Sequence, residues 1–242
     1  MKRIFCSVAL LILCLVAYSE TFVVCVGIGN YADWRVQDLT KPETDAKSMA
    51  EFYKQGTDNV IIITGKYATK SKILASLKSQ FKRAKKGDKI IFYFSGHGYP
   101  GGFCPYDMCS LETGLTYSEV VKIMASSKAS QKIIFADACN SGLLRVDDLN
   151  RMPEMGDIMF FLSSRGNESS IESLFAANGF FTKNLLRGLK GGADYNQDRE
   201  ITARELFNFV STKTKEDTRD RQHPVMWGSF PDDMVIVKYK KK

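Results

Sequence analysis

The sequence predicts an α/β protein: a three-layer α/β/α sandwich around a mainly parallel six-stranded sheet. Six short, almost continuously apolar runs punctuate the chain, at residues 22–28, 60–63, 90–94, 133–136, 158–162 and 234–237. Runs of that length without polar alternation are strands buried on both faces. Between them the apolar period turns helical, and strands alternating with helices through right-handed crossovers give a parallel sheet covered on both sides. Composition agrees. With 44% hydrophobic and 25% charged residues, and six prolines and eighteen glycines scattered without a period over 242 residues, the chain is one compact domain rather than a repeat or a low-complexity polymer.

Taken in order, Lys2 and Arg3 precede an apolar run at residues 4–16, and Ala17, Tyr18 and Ser19 supply a small-x-small cleavage pattern. That is an export signal at residues 1–19, followed by a domain at 20–242, secreted or periplasmic. The run is shorter than the roughly 20 residues a spanning helix needs, so no stable membrane insertion is expected once the signal is removed. Ala46, Met49, Ala50 and Tyr53 recur at i, i+3, i+4 and i+7. Ile73, Leu77 and Phe81 form a second helical stripe, and Phe181, Leu185 and Leu189 another. Thr116 with Glu119, and Thr202 with Glu205, make capping boxes that open two further helices. The stretch around His223 and Pro224 reads as a connection to the last strand at 234–237.

Charge is mild. The formal +7 falls to +5 when Lys2 and Arg3 leave with the signal. Lys82, Arg83, Lys85, Lys86 and Lys89 cluster, as do Lys238, Lys240, Lys241 and Lys242, but no aromatic residues interleave as stacking platforms would require. These read as solvated helix ends and a soluble tail, with no nucleic-acid partner. Of six cysteines, Cys6 and Cys14 leave with the signal and Cys25 packs inside an apolar run. Cys104 and Cys109, flanking Pro105 and Met108, are candidates for pairing in an oxidising compartment. Cys139 is then a spare thiol, which in an exported protein asks for a reason.

Two strand ends supply one. The third strand runs out into Ser95, Gly96, His97 and Gly98, the fourth into Asp137, Ala138, Cys139, Asn140, Ser141 and Gly142. A cysteine after a buried strand is usually core, and a histidine among glycines is usually a loop residue. Both at the carboxyl edge of one parallel sheet, however, have the geometry of a nucleophile and its acid/base. His97 would take the thiol proton of Cys139 and hand it to the leaving amine. The glycines admit a substrate backbone, and the amides of Gly98 and Cys139 could face the developing oxyanion.

The segments Phe92-Tyr-Phe-Ser-Gly-His-Gly98 and Ile133-Ile-Phe-Ala-Asp-Ala-Cys-Asn-Ser-Gly142 resemble the histidine and cysteine motifs of caspase-like cysteine peptidases, in their metacaspase-like branch. The resemblance extends over the mature chain, through Val24-Cys-Val-Gly-Ile-Gly-Asn-Tyr31 and Gly179-Phe-Phe-Thr-Lys-Asn-Leu-Leu-Arg-Gly-Leu189. It implies an endopeptidase acting on peptide or protein substrates, with His97 as general acid/base, Cys139 as nucleophile and no metal in the chemistry. It also implies that Asp45, Ser95 and Asp137 line a pocket for Arg or Lys. Independently of the family, Asp45 and Asp137 fall on the same sheet edge, where two carboxylates suit a cation. Pro42 and Asn140 depart from the metacaspase pattern, which often has Cys and His there.

A catalytically silent peptide-binding module of the same fold is the alternative reading. Asp194, Asn196, Asp198, Glu200, Thr202 and Glu205 match the ligand positions of a calcium loop, with Arg199 where the turn normally takes Gly. A structural polar loop and a calcium site both remain open there. Arg145 and Arg151, in a polar loop after Cys139, are expected self-cleavage points.

Overall fold

Each strand of the main sheet alternates its side chains between two helical layers, which explains why its sequence is apolar on both faces. The computed structural model describes residues 19–138, 158–164 and 178–239. In chain order the strands are β1 (Thr21–Gly27), β2 (Val60–Thr64), β3 (Lys89–Gly96), β4 (Gly98–Tyr99), β5 (Gly102–Phe103), β6 (Leu115–Thr116), β7 (Gln131–Ala138), β8 (Ile158–Leu162), β9 (Glu200–Thr202), β10 (Val225–Trp227) and β11 (Val235–Lys238). The helices are α1 (Pro42–Lys54), α2 (Lys70–Phe81), α3 (Tyr117–Ala125), α4 (Phe180–Arg187) and α5 (Ala203–Thr218).

The main sheet has six strands in the order β10-β8-β7-β3-β1-β2, parallel except for β10. Phe22, Val24, Val26, Ile90, Phe92 and Phe94 meet α2 and α3 on one face. Val23, Cys25, Ile91, Tyr93, Ile133 and Phe135 meet α1, α4 and α5 on the other. The three layers are thus those expected. Burying each Val, Ile and Phe side chain among them contributes about 1.5–3 kcal/mol. Both anticipated capping boxes close: Thr116 Oγ1 accepts from the Glu119 amide while the Thr116 amide donates to Glu119, and Thr202 with Glu205 repeats the pattern.

Two expectations are corrected. The sixth strand of the main sheet is β10, antiparallel to β8, whereas the apolar run at 234–237 pairs as β11 with β9 in a separate two-stranded sheet. β10 has three partly buried residues at the sheet edge, too little apolar length to stand out, while Ile236 of β11 finds its burial in the core beside α5. Cys104 and Cys109 do not pair. Neither is in a disulfide: Cys104 is buried, and Cys109 is exposed, where it accepts a contact from the Thr113 hydroxyl at 3.7 Å. Cys25 is buried as expected, and burial pushes its thiol pKa far up, leaving it an inert small hydrophobe.

Candidate active site

The register of β3 and β7 sets the site. Ser95 lies opposite Asp137 and Gly96 opposite Ala138, so the chain continues to His97 from one strand and to Cys139 from its paired neighbour. Cys139 itself lies outside the described residues, as do Arg145, Arg151, Asn140 and the export signal through residue 18. The approach to it is held. Ser163, just past the end of β8 and fully buried, accepts from the Ala138 amide at 3.1 Å and donates to the Ala138 carbonyl at 3.3 Å.

His97 is fixed from three sides. Its amide donates to the Tyr31 hydroxyl at 2.7 Å, and that hydroxyl donates in turn to the Ile28 carbonyl. The Tyr31 and His97 rings lie 5.2 Å apart. Nε2 is 2.7 Å from the Gln37 carbonyl oxygen; since a carbonyl only accepts, Nε2 carries the proton and Nδ1 is left as the basic nitrogen of the neutral ring. A backbone carbonyl therefore orients the imidazole as a carboxylate does in a catalytic triad.

Gly96 is glycine of necessity. Its φ of +153° is rarely adopted by other residues, and a β-carbon there would approach the Tyr31 hydroxyl to 2.9 Å. Gly96→Ala should destabilise the fold by about 2–4 kcal/mol, backbone strain and overpacking together, read as a lowered denaturant midpoint. Immediately after His97, Gly98 opens β4, and the β4-β5-β6 sheet is pinned by Phe103, whose ring lies 4.5 Å from Phe94 and 4.8 Å from Tyr117.

On the α1/α4 face of the same edge, Asp45, Ser95 and Asp137 come together, 1%, 2% and 8% exposed. The Ser95 hydroxyl donates to Asp45 at 3.0 Å, Asn178 Nδ2 at 2.8 Å and the Gly179 amide at 3.1 Å. Asp137 accepts from the Thr182 amide and hydroxyl at 3.2 and 2.8 Å, at the first turn of α4 where the helix dipole favours an anion. The Tyr93 hydroxyl completes a relay by donating to Thr182 Oγ1 at 2.6 Å. Burial, and next the charge of Asp137, raise the Asp45 pKa to about 7 despite its three donors. Two carboxylates whose charges act on one another at a buried site form a focus of negative potential that a cation would relieve.

Sequence patterns pointed to His97, Gly98, Asp45, Ser95 and Asp137, and all stand on this one edge. They did not indicate Tyr31, the Gln37 carbonyl, Ser163, Asn178 or Thr182. Tyr31 and Thr182 lie within the resembling segments; the others carry no local signal. His223 is tied to Asp220 at 2.9 Å beside β10, with β8 and β7 between it and β3.

In the loop from Asp194 to Glu205 the side chains serve the loop itself. Asp194 accepts from the Arg199 amide and Tyr239 hydroxyl, Asn196 from the Asp198 amide, and Asp198 from the Glu200 amide, while Glu205 closes its capping box. Arg199 takes the left-handed conformation (φ +69°) that the pattern normally gives to Gly. Among the described residues, no group of three or more His, Cys, Asp or Glu side chains is placed to hold a metal ion. No helix among them is long and apolar enough to cross a membrane.

A doubly covered parallel sheet that delivers a histidine and the approach to a cysteine from adjacent strands has the architecture of the caspase-like cysteine peptidases. The caspase-domain family model matches residues 21–235, and the chain belongs to that family. It is 27% identical, over 173 residues, to a probable protease from a Desulfuromonadales bacterium; the match covers 59% of this chain but only 21% of that relative's length. Among solved structures, caspase-1 from Spodoptera frugiperda superposes with a TM-score of 0.68 at 15% identity, covering 93% of this chain and 92% of that one. A protein from Geobacter sulfurreducens gives 0.66 at 19% identity, covering 88% and 95%. At these identities the structural matches speak for the fold.

Proposed function

We propose that this protein is an exported cysteine endopeptidase that cleaves after Arg or Lys, with Cys139 as nucleophile and His97 as acid/base. The observation that carries the reading is the β3–β7 register, from which His97 and Cys139 each follow directly on a hydrogen-bonded strand pair, Gly96 and Ala138. Nδ1 of His97 accepts the thiol proton, and Sγ of Cys139 attacks the scissile carbonyl. The amides of Gly98 and Cys139 receive the oxyanion. His97 then protonates the departing amine, and water, deprotonated by the same nitrogen, hydrolyses the thioester and regenerates the thiol. Thiol chemistry of this kind needs no metal.

Asp45 and Asp137, buttressed by Ser95, Asn178 and Thr182, receive the substrate's cation. A scan of fluorogenic peptides varying the residue before the scissile bond tests this directly: turnover is expected with Arg or Lys and none with Asp. Turnover absent from every peptide, with unimpaired peptide binding, would instead establish a silent binding module. Export is supported by Lys2, Arg3 and the apolar run at 4–16, and predicts a mature amino terminus at Glu20.

The raised Asp45 pKa gives a pH signature. A carboxyl shifted upward holds its proton as pH falls through about 7, so the pocket loses charge below that value and regains it above. The ratio of kcat/KM for an Arg peptide to that for its neutral citrulline counterpart cancels the shared thiol and imidazole titrations. It should fall roughly tenfold, equivalent to about 1.4 kcal/mol, between pH 8 and pH 5.5. A flat ratio would remove Asp45 from cation recognition.

A further inference from the structure

We infer that a groove between the carboxyl-terminal ends of α2 and α3 binds a clustered oxyanion: several phosphate or sulfate ester groups carried on one molecule. The groove encloses about 720 Å³ and is lined by Lys78, Lys82, Arg83, Lys85, Lys122 and Lys128 over a buried floor of Ala84 and Ile123. No carboxylate lines it. All six cationic residues are exposed.

None of the six is in an ion pair among the described residues. Lysine ion pairs among the described residues involve Lys70, Lys183, Lys213 and Lys238, none of them in the groove. Arg83 donates to neutral acceptors, Gln80 Oε1 and Asn59 Oδ1, and lies over the Phe22 ring. Asp88, the acidic residue next in the chain, accepts from the backbone amides of Glu20 and Lys85 and is buried.

The modest explanation is that lysines complement helix carboxyl ends, but each end carries only about half a negative charge. Two ends offset about one of the six positive charges. The remaining charge, about five units, lines one groove, where a low-dielectric wall concentrates the field. A multivalent anion relieves that repulsion, and ammonium groups, each with three rotatable donors, accommodate phosphate or sulfate oxygens in many orientations.

Position matters as much as charge. The groove lies at the amino end of β3, which starts at Lys89, while His97 follows its carboxyl end. Eight residues of strand, at about 3.3 Å each, separate the two by roughly 25 Å. An anion bound there does not compete with a cationic substrate.

The test is titration calorimetry of the full chain at 50 mM NaCl with inorganic tripolyphosphate in one arm and a fully sulfated disaccharide in the other. Saturable binding of at least one is expected, and the arm that binds identifies the phosphate or sulfate source. Lys82→Glu with Lys128→Glu should weaken it at least tenfold. Lys66→Glu with Lys72→Glu, the same charge change before α2 and in its first turn, should alter it less than twofold. The neutral pair Lys82→Gln and Lys128→Gln should weaken binding to an intermediate degree, and serves if the charge-reversed protein folds poorly. No saturable binding of either anion, or equal weakening by the groove and control pairs, would overturn the proposal.

Discussion

His97→Ala is expected to lower kcat for an Arg peptide by at least about 10³-fold, and Cys139→Ala to do the same, with the double variant no worse than either alone. The reason is mechanical. The imidazole is useful only as the partner of the thiol, and every contact that holds it serves that orientation: the Tyr31 hydroxyl on its amide, the Tyr31 ring beside it and the Gln37 carbonyl on Nε2. Steady-state kinetics on the three variants settles the matter. Additive losses would mean that the two residues do not act as a unit, and undiminished turnover in Cys139→Ala would remove the mechanism. Circular dichroism of His97→Ala should match wild type, because the ring is only partly buried and the strand before it is secured by its own ladder.

Asp137→Ala is expected to reduce kcat/KM for Arg and Lys peptides by about 30- to 5000-fold, the range for truncating one member of a buried charge interaction. The alkylation rate of Cys139 should change far less. A structural role for Asp137 alone would lower stability without this selectivity, so the two readouts belong together. Gly179→Ala gives an independent probe. The backbone of Gly179, at φ −56° and ψ 155°, is ordinary for any residue, so alanine brings no conformational strain. Its β-carbon, however, would lie 3.0 Å from Asp137 Oδ2 and 3.4 Å from Asp45 Oδ2. That methyl would stand against both carboxylates and shield them from an incoming cation. A raised KM for Arg peptides, out of proportion to the modest fall in melting temperature that the crowded methyl causes, is the expected result, and an unchanged KM would place the cation elsewhere.

By itself the sequence determined whatever depends on residues near one another in the chain. Apolar runs bounded by polar turns define β1, β2, β3, β7 and β8, because a strand covered on both faces has no polar side to show. Three- and four-residue spacings define the buried stripes of α1, α2 and α4, and two Thr/Glu pairs fix the starts of α3 and α5. The Ser95-to-Gly98 and Asp137-to-Gly142 segments mark the chemistry, since a parallel sheet presents such turns on a common edge.

Only the tertiary structure decided which strand closes the sheet. β10 is short and partly exposed, and it is defined by what it pairs with; the more apolar β11 is drawn to a second small sheet by burial against the α5 layer. The support of the site was equally out of reach. Asn178 and Gly179 meet Asp45 across 133 and 134 residues, Thr182 meets Asp137 across 45, and the Gln37 carbonyl meets His97 across 60. Hydrogen bonds to backbone groups and between distant side chains impose no periodicity on the chain. Their partners acquire meaning only once the sheet has brought them within hydrogen-bonding distance of one another.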